Sequence, residues 1–286
     1  MIEVLRAGPL TTVQDLGRPG LAHLGVGRSG AADRPSLRLA NRLVGNAEGA
    51  AALEATFGGL VLRFEGATTV ALTGAPCPVR VGGRDRDLNA PVALAAGEVL
   101  ELGMPRAGVR TYVAVRGGLD LPAVLGSRAT DVLAHLGPDP LREGDRLPVG
   151  APTGPEPGVD VAPVRALPSE PVLRVVPGPR ADWFVPTALE VVGRGRFEVT
   201  AASDRVGVRL AGPALQRSRV DELPSEGLVE GAVQVPPDGQ PVVFLADHPV
   251  TGGYPVIAVV HPDDVPVVAQ LRPGQPVRFS LLRALG

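Results

Sequence analysis

Residues 25–30 read GVGRSG, and the fold class turns on what that stretch is. The letters fit G-x-G-x-x-G, a helix-like run follows, and Glu48 lies 18 residues beyond Gly30. A dinucleotide-binding turn needs a buried strand in front, delivering the glycines to a pyrophosphate, and a helix at once behind. Here the preceding residues, LGRPGLAHL (16–24), hold Gly17, Pro19 and Gly20, which break a strand. In a chain with 37 glycines one such match carries little weight. The stretch reads as a loop, and the α/β alternative falls with it.

Around it the pattern is β. Apolar runs at Thr69–Leu72, Val109–Val115, Val172–Val176, Val242–Ala246 and Val256–Val260 are bounded by Gly and Pro. Many short strands with frequent turns predict a sandwich or barrel rather than alternating β-α units. GAVQVPPDGQPVVFLAD (231–247) reads as a hairpin, with Pro237-Asp238-Gly239 as its turn. Helices are few. The clearest is capped by Asp33, has Pro35 in its first turn, repeats Leu37, Ala40, Leu43 and Val44 at helical spacing, and ends at Gly45-Asn46. A second is expected from about Arg180 to Val191, although Pro186 interrupts it.

The stretch 148–171 holds seven prolines and little periodicity. It predicts a boundary: an N-terminal β unit over 1–150, a Pro-rich linker over 151–170 and a C-terminal β unit over 171–286. LAAGEVLELG (94–103) and LRPGQPVRFS (271–280) both read as a Gly turn and then a short strand, as two related β units would have.

Composition excludes several functions. A formal charge of −2 argues against a nucleic-acid partner, and 3% aromatics against base-stacking platforms. All 28 basic residues are Arg. No Lys is present to form a Schiff base, to touch ATP phosphates from a P-loop or to carry biotin. Cys77 is the only cysteine, which suits a reducing cytoplasm. The start, MIEVLRAGPL, carries Glu3 and Arg6 where a signal peptide runs apolar, and no apolar run reaches the roughly 18 residues of a membrane helix. The four histidines make no close metal-ligand spacing with each other or with Cys77, so no structural zinc is expected.

Polar clusters between the apolar runs are the candidate sites. Gln14, Asp15 and Arg18 can present an acceptor, a carboxylate and a guanidinium to an amide or carboxylate, or can brace a turn. Ser29, Asp33 and Arg34 lie where the loop enters the helix; they can hold an anion or simply cap. Ser203, Arg205 and Arg209 can grip a carboxylate or phosphate. On a strand Arg205 and Arg209 share one face, with Asp204 on the other. Ser225 and Glu226 stand in LPSEG, which is not a nucleophile elbow because Leu223 takes the first glycine position. Glu226 is read as an acid, base or substrate contact, or as half of a turn salt bridge. Asp247 and His248 follow a buried strand and precede the flexible Thr251-Gly252-Gly253-Tyr254, a suitable place for chemistry or for a satisfied structural His. Asp15, Glu226, Asp247 and His248 are the catalytic candidates. Gln234 joins Thr251, Tyr254 and the residues above as a substrate contact.

Seven stretches, in order along the chain, carry a resemblance: TTVQDLGRPG (11–20), SGAADR (29–34), LRLANRLVGN (37–46), VVPGPRADWF (175–184), SDRVGVRL (203–210), LPSEG (223–227) and GAVQVPPDGQPVVFLADHPVTGGYPVIA (231–258). Together they resemble the KipA-like family, also called the 5-oxoprolinase C-subunit or biotin-dependent carboxyltransferase (allophanate hydrolase subunit 2) family. In that family the Ser-Gly before the helix belongs to a loop at the site. The resemblance implies a mainly β chain of two cyclophilin-like β-barrel units with a few short helices. It implies two partners, a KipI-like B subunit with a separate A subunit, and ATP-dependent opening of 5-oxoproline to L-glutamate. ATP is then bound with or by a partner, and biotin is not attached to this chain. Two alternatives stay open. One is a carboxyltransferase module taking CO2 from carboxybiotin, supplied in trans, to urea or a similar amide. The other is a non-enzymatic antagonist of a KipI-like kinase inhibitor.

Overall fold

Glycine and proline cut the chain into strands of two to seven residues. Their side-chain alternation decides which layer each strand joins. The computed structural model describes residues 1–219 and 221–282. The chain divides into two units: Met1–Arg18, Ser29–Asp131 and His135–Leu167 form the first, and Pro19–Arg28, Val132–Ala134 and Pro168–Gly286 the second.

The first unit has three layers. A six-stranded sheet runs in the order Arg146–Leu147, Ile2–Arg6, Val61–Phe64, Val99–Leu102, Val79–Val81, Arg84–Arg86. A five-stranded sheet runs Leu10–Gln14, Ala52–Thr56, Arg110–Val115, Thr68–Gly74, Pro91–Leu94. Their apolar faces share a core of Val4, Leu62, Phe64 and Leu100 against Val13, Leu53, Leu72 and Val113. Helix α1 (Arg34–Leu43) covers the other face of the five-stranded sheet, packing Leu37, Ala40 and Leu43 on Ala52, Ala71, Tyr112 and Ala114. That sheet is therefore covered on both faces, and every residue of Arg110–Val115 is buried. The period of two also places Glu54 and Tyr112 on the helix side, among alanines.

The second unit holds a closed seven-stranded barrel, in the order Val172–Pro177, Val256–Val260, Ala232–Gln234, Val242–Phe244, Gly207–Ala211, Arg196–Val199, Pro276–Leu281. Closure leaves no strand edge free to pair with another chain. The first and last strands pair in parallel and the others antiparallel. Phe197 and Phe279 meet edge to face, with ring centroids 5.6 Å apart. Helices α2 (Ala188–Arg194) and α3 (Val265–Val268) belong to this unit.

The chain is mainly β with few helices, as expected. The closed barrel stands in the second unit, whereas the first is a sandwich with a helical layer. All five apolar runs fall on strands, and the 231–247 hairpin pairs Val233 with Val243 across a turn closed by the Gly239 N–H donating to Pro236 O at 3.0 Å. The continuous helix expected near Arg180–Val191 is corrected. A 3-10 turn, Ala181–Trp183, ends at extended Phe184, and α2 begins only at Ala188, beyond Pro186, which lacks the backbone N–H that a continuous helix would need there. The Pro-rich stretch is strapped to the first unit. Arg116 donates to Gly154 O and Pro155 O, and Ala162 N to Asn89 O at 2.7 Å. The changeover between units falls after Leu167.

Candidate functional site

In the first unit the strand Leu10–Gln14 delivers a polar loop into a buried setting. Asp15 is spent on that loop: Oδ1 accepts from Gly17 N (2.7 Å) and Ser127 Oγ (2.6 Å), and Oδ2 from Arg128 N (2.6 Å). Ala31 N donates to Asp15 O at 2.9 Å, tying the 29–33 loop to the same strand end. The approach is close. A Cβ on Gly30 would lie 2.6 Å from Gly17 N, so only glycine fits there at its φ of +86°.

The centre of this cluster is the carbonyl of Thr130, which accepts from Gln14 Nε2 (2.9 Å) and Ser29 Oγ (3.2 Å). Arg18 Nη2 donates to the neighbouring carbonyl, Ala129 O, at 2.6 Å. Ser29 is fully buried and held at a φ of 52°, a conformation few side-chain-bearing residues adopt. Three buried atoms on these neighbours have no hydrogen-bond partner: Gln14 Oε1, Arg18 Nη1 and Thr130 Oγ1. Buried polar groups are nearly always satisfied, so an acceptor, a cationic donor and a hydroxyl left open on three neighbouring residues make this cluster a candidate for holding a polar ligand.

Behind it, Glu54 fixes the loop. It accepts from Ala32 N (3.1 Å) and Tyr112 Oη (2.6 Å), and Arg110 Nε lies 3.4 Å away. Tyr112 Oη in turn accepts from Asp33 N at 2.8 Å. Burial first, and the Glu54 charge second, hold the Tyr112 phenol well above its usual pKa, so it stays a donor to Glu54. Asp33 caps α1, accepting from Ser36 N (3.1 Å) and Ser36 Oγ (2.7 Å), and Arg34 opens the helix.

In the second unit Arg205 and Asp247 bind each other. The guanidinium forks onto the carboxylate at 2.8 and 3.0 Å, both side chains are buried, and Val132 N adds a bond to Oδ2 at 3.1 Å. Arg209 does not join them. Its strand begins only at Gly207, and its side chain faces out while Arg205 turns in. The paired-arginine grip expected from the sequence is therefore not formed. Ser203 is engaged by the backbone of Arg209, whose N–H donates to Ser203 Oγ at 3.0 Å.

Glu226 pairs with Gly252 in a two-stranded ribbon, Glu226–Gly227 with Thr251–Gly252, and forks onto Arg180. The hydrogen bond from Arg180 holds its carboxyl below the usual range. A depressed pKa means that the pair's stabilisation is present above the unfolded value of about 4.3 and is lost as pH falls through the folded one. The stability gap between wild type and Glu226→Gln is thus expected to close on acidification from pH 6 to 3; a gap that stays constant would contradict the pairing. Gln234 Nε2 donates to Tyr254 O at 3.0 Å, which anchors the Gly-Gly loop. His248 Nδ1 lies 2.7 Å from Pro249 O, and because a carbonyl only accepts, Nδ1 carries the proton. Ser225, Thr251 and Tyr254 are exposed. Among the described residues no group of three or more His, Cys, Asp or Glu side chains could hold a metal ion, and no helix is long and apolar enough to cross a membrane.

The family model described as carboxyltransferase domain, subdomain A and B, matches residues 24–281. The chain belongs to this carboxyltransferase-domain family. It is 40% identical to the C subunit of 5-oxoprolinase from Escherichia coli over 282 residues, 98% of this chain and 90% of that protein. It superposes on the crystal structure of TTHA0988 with a TM-score of 0.90 at 38% identity, covering 98% of this chain and 55% of that one. On the Kluyveromyces lactis urea carboxylase the TM-score is 0.91 at 32% identity, covering 99% of this chain and 27% of the larger one. The chain thus spans about half or less of these solved structures. Within this carboxyltransferase-type chain, several site-forming residues were not marked by motif: Thr130, Ser127, Glu54, Arg110 and Tyr112. Glu54 had one visible signal, a lone carboxylate in the apolar strand ALEAT (52–56). Thr130 contributes a backbone carbonyl, which no residue type announces.

Proposed function

We propose that the chain is the C subunit of an ATP-dependent 5-oxoprolinase, which hydrolyses 5-oxoproline to L-glutamate. Its proposed partners are a KipI-like B subunit with a separate A subunit. The near full-length likeness to the E. coli protein carries this reading. The open atoms of the first unit support it chemically. The lactam N–H suits Gln14 Oε1, the substrate carboxylate suits Arg18 Nη1, and the ring carbonyl suits a hydroxyl such as Thr130 Oγ1. These residues bind and orient the lactam. ATP supplies activation of the amide oxygen by phosphoryl transfer. The chain has no Lys, and GVGRSG follows a strand that pairs only antiparallel, so this chain forms no phosphate cradle of the P-loop or Rossmann kind. We place the ATP site with or on a partner. A cytoplasmic setting fits the single buried thiol of Cys77.

The test is glutamate release from 5-oxoproline by the three subunits of the same genome, with and without ATP. Release that needs ATP and vanishes when this chain is omitted is the expected result. No release from a folded, assembled complex would overturn the reading. The likeness to urea carboxylase favours a second reading, carboxyl transfer to urea or a similar amide from carboxybiotin supplied in trans. It would show as biotin-carrier-dependent carboxylation in place of glutamate release.

A further inference from the structure

In the second unit the guanidinium of Arg217 has no ion-pair partner among the described residues. Arg217 is half-buried; its Nη2 donates to Val235 O, and its guanidinium lies over the Tyr254 ring, 5.6 Å from the centroid. Its Nε is buried without a hydrogen-bond partner, and among the described residues no carboxylate forms an ion pair with it. The neighbouring Arg219 is already engaged, stacked on Trp183 at 5.7 Å and 3.5 Å from Asp182. Asp238 is exposed, and its Oδ1 accepts from Gln240 N at 3.0 Å. Burial lowers the Arg217 pKa, and Tyr254 and Asp238, which also lies at the cleft, offset part of that shift.

Arg217 lines a cleft of about 450 Å³ between the 214–219 segment and the 236–239 turn. The cleft is preformed. Leu215 N donates to Gly239 O (3.0 Å), Val185 N to Gln216 O (3.1 Å) and Ser218 N to Trp183 O (2.9 Å), fixing both walls. Leu215 and Pro237 make its apolar side. One positive charge without an ion-pair partner, beside a short apolar wall, matches a monoanion with a small hydrocarbon body. A phosphate dianion would need a second free cation, which Arg219 does not supply.

We propose that this cleft binds a small monocarboxylate, with its carboxylate on the Arg217 guanidinium and its hydrocarbon against Leu215 and Pro237. The site shares no residue with the cluster around Thr130 and does not depend on the proposed reaction.

Trp183 is the only tryptophan, and it lies beneath Arg219 at this cleft, so its fluorescence reports on the site. Propionate is titrated into the full chain at constant ionic strength, with chloride as the balancing ion and inorganic phosphate in a parallel series; calorimetry checks the binding directly. Saturable propionate binding is expected, weakened at least tenfold in Arg217→Gln. Ala214→Glu, at an exposed position on the cleft wall, is expected to abolish it by placing a tethered carboxylate inside without disturbing the fold. Absence of saturation, equal binding by both variants and wild type, or tighter binding of phosphate than of propionate would each overturn the proposal.

Discussion

Replacing Asp247 by alanine is expected to destabilise the second unit by about 3–5 kcal/mol. That corresponds to a fall in melting temperature on the order of 10 °C. The cause is what remains behind. Arg205 is almost fully buried, and both arms of its fork end on Asp247. Without the carboxylate the buried guanidinium loses the counter-charge on which both of those arms end, and Val132 N loses its acceptor. Removing both charges together, as Arg205→Met with Asp247→Leu, should recover most of the loss, because desolvation of an ion pair offsets much of its attraction. Calorimetry of the two variants checks both statements. An alanine variant that melts within about 2 °C of wild type but has lost turnover would instead return Asp247 to the chemistry, the role its position at a strand end first implied.

The Arg205 case shows where a linear reading stops. Alternation along SDRVGVRL correctly relates residues once the strand has begun, but nothing local says that pairing starts at Gly207 and not two residues earlier. Before that point Arg205 is free to turn inward, and the tertiary contact with Asp247 decides its direction. Helix α1 was legible for the opposite reason. Its cap, its proline and its apolar stripe are all local, and Asp33 accepts the Ser36 N–H as the letters required. The 231–247 hairpin was legible because Pro, Asp and Gly fix a turn within a few residues. The candidate site was half legible. Gln14, Arg18 and Ser29 could be named from loops rich in polar residues, but the carbonyl joining Gln14 and Ser29 belongs to Thr130, more than 100 residues away from both, and Arg18 reaches its neighbour Ala129. The Glu54–Tyr112 support is likewise formed by strand pairing, and no sequence spacing encodes it.

Arg18→Met is expected to cut glutamate release by the assembled enzyme about 100-fold or more in kcat/KM, near 2.7 kcal/mol of binding lost in the transition state. The same variant should melt at the wild-type temperature or above it. Arg18 is buried, its Nε and Nη2 reach only the carbonyls of Val124 and Ala129, and Nη1 has no partner. A guanidinium held this way is a burden on the fold, and an apolar side chain of similar length relieves it. Natural chains keep such a burden where a ligand completes it. If Arg18 grips the substrate carboxylate, the loss should appear largely in KM, and Arg18→Lys should restore little, since a point charge does not reproduce the fork. A variant that keeps full turnover, or one that unfolds early while its KM stays unchanged, would assign Arg18 to bracing the 124–130 segment and move the lactam elsewhere in the assembly. Stability and turnover measured on one variant therefore separate the two roles, because bracing makes both fall together and binding drives them apart.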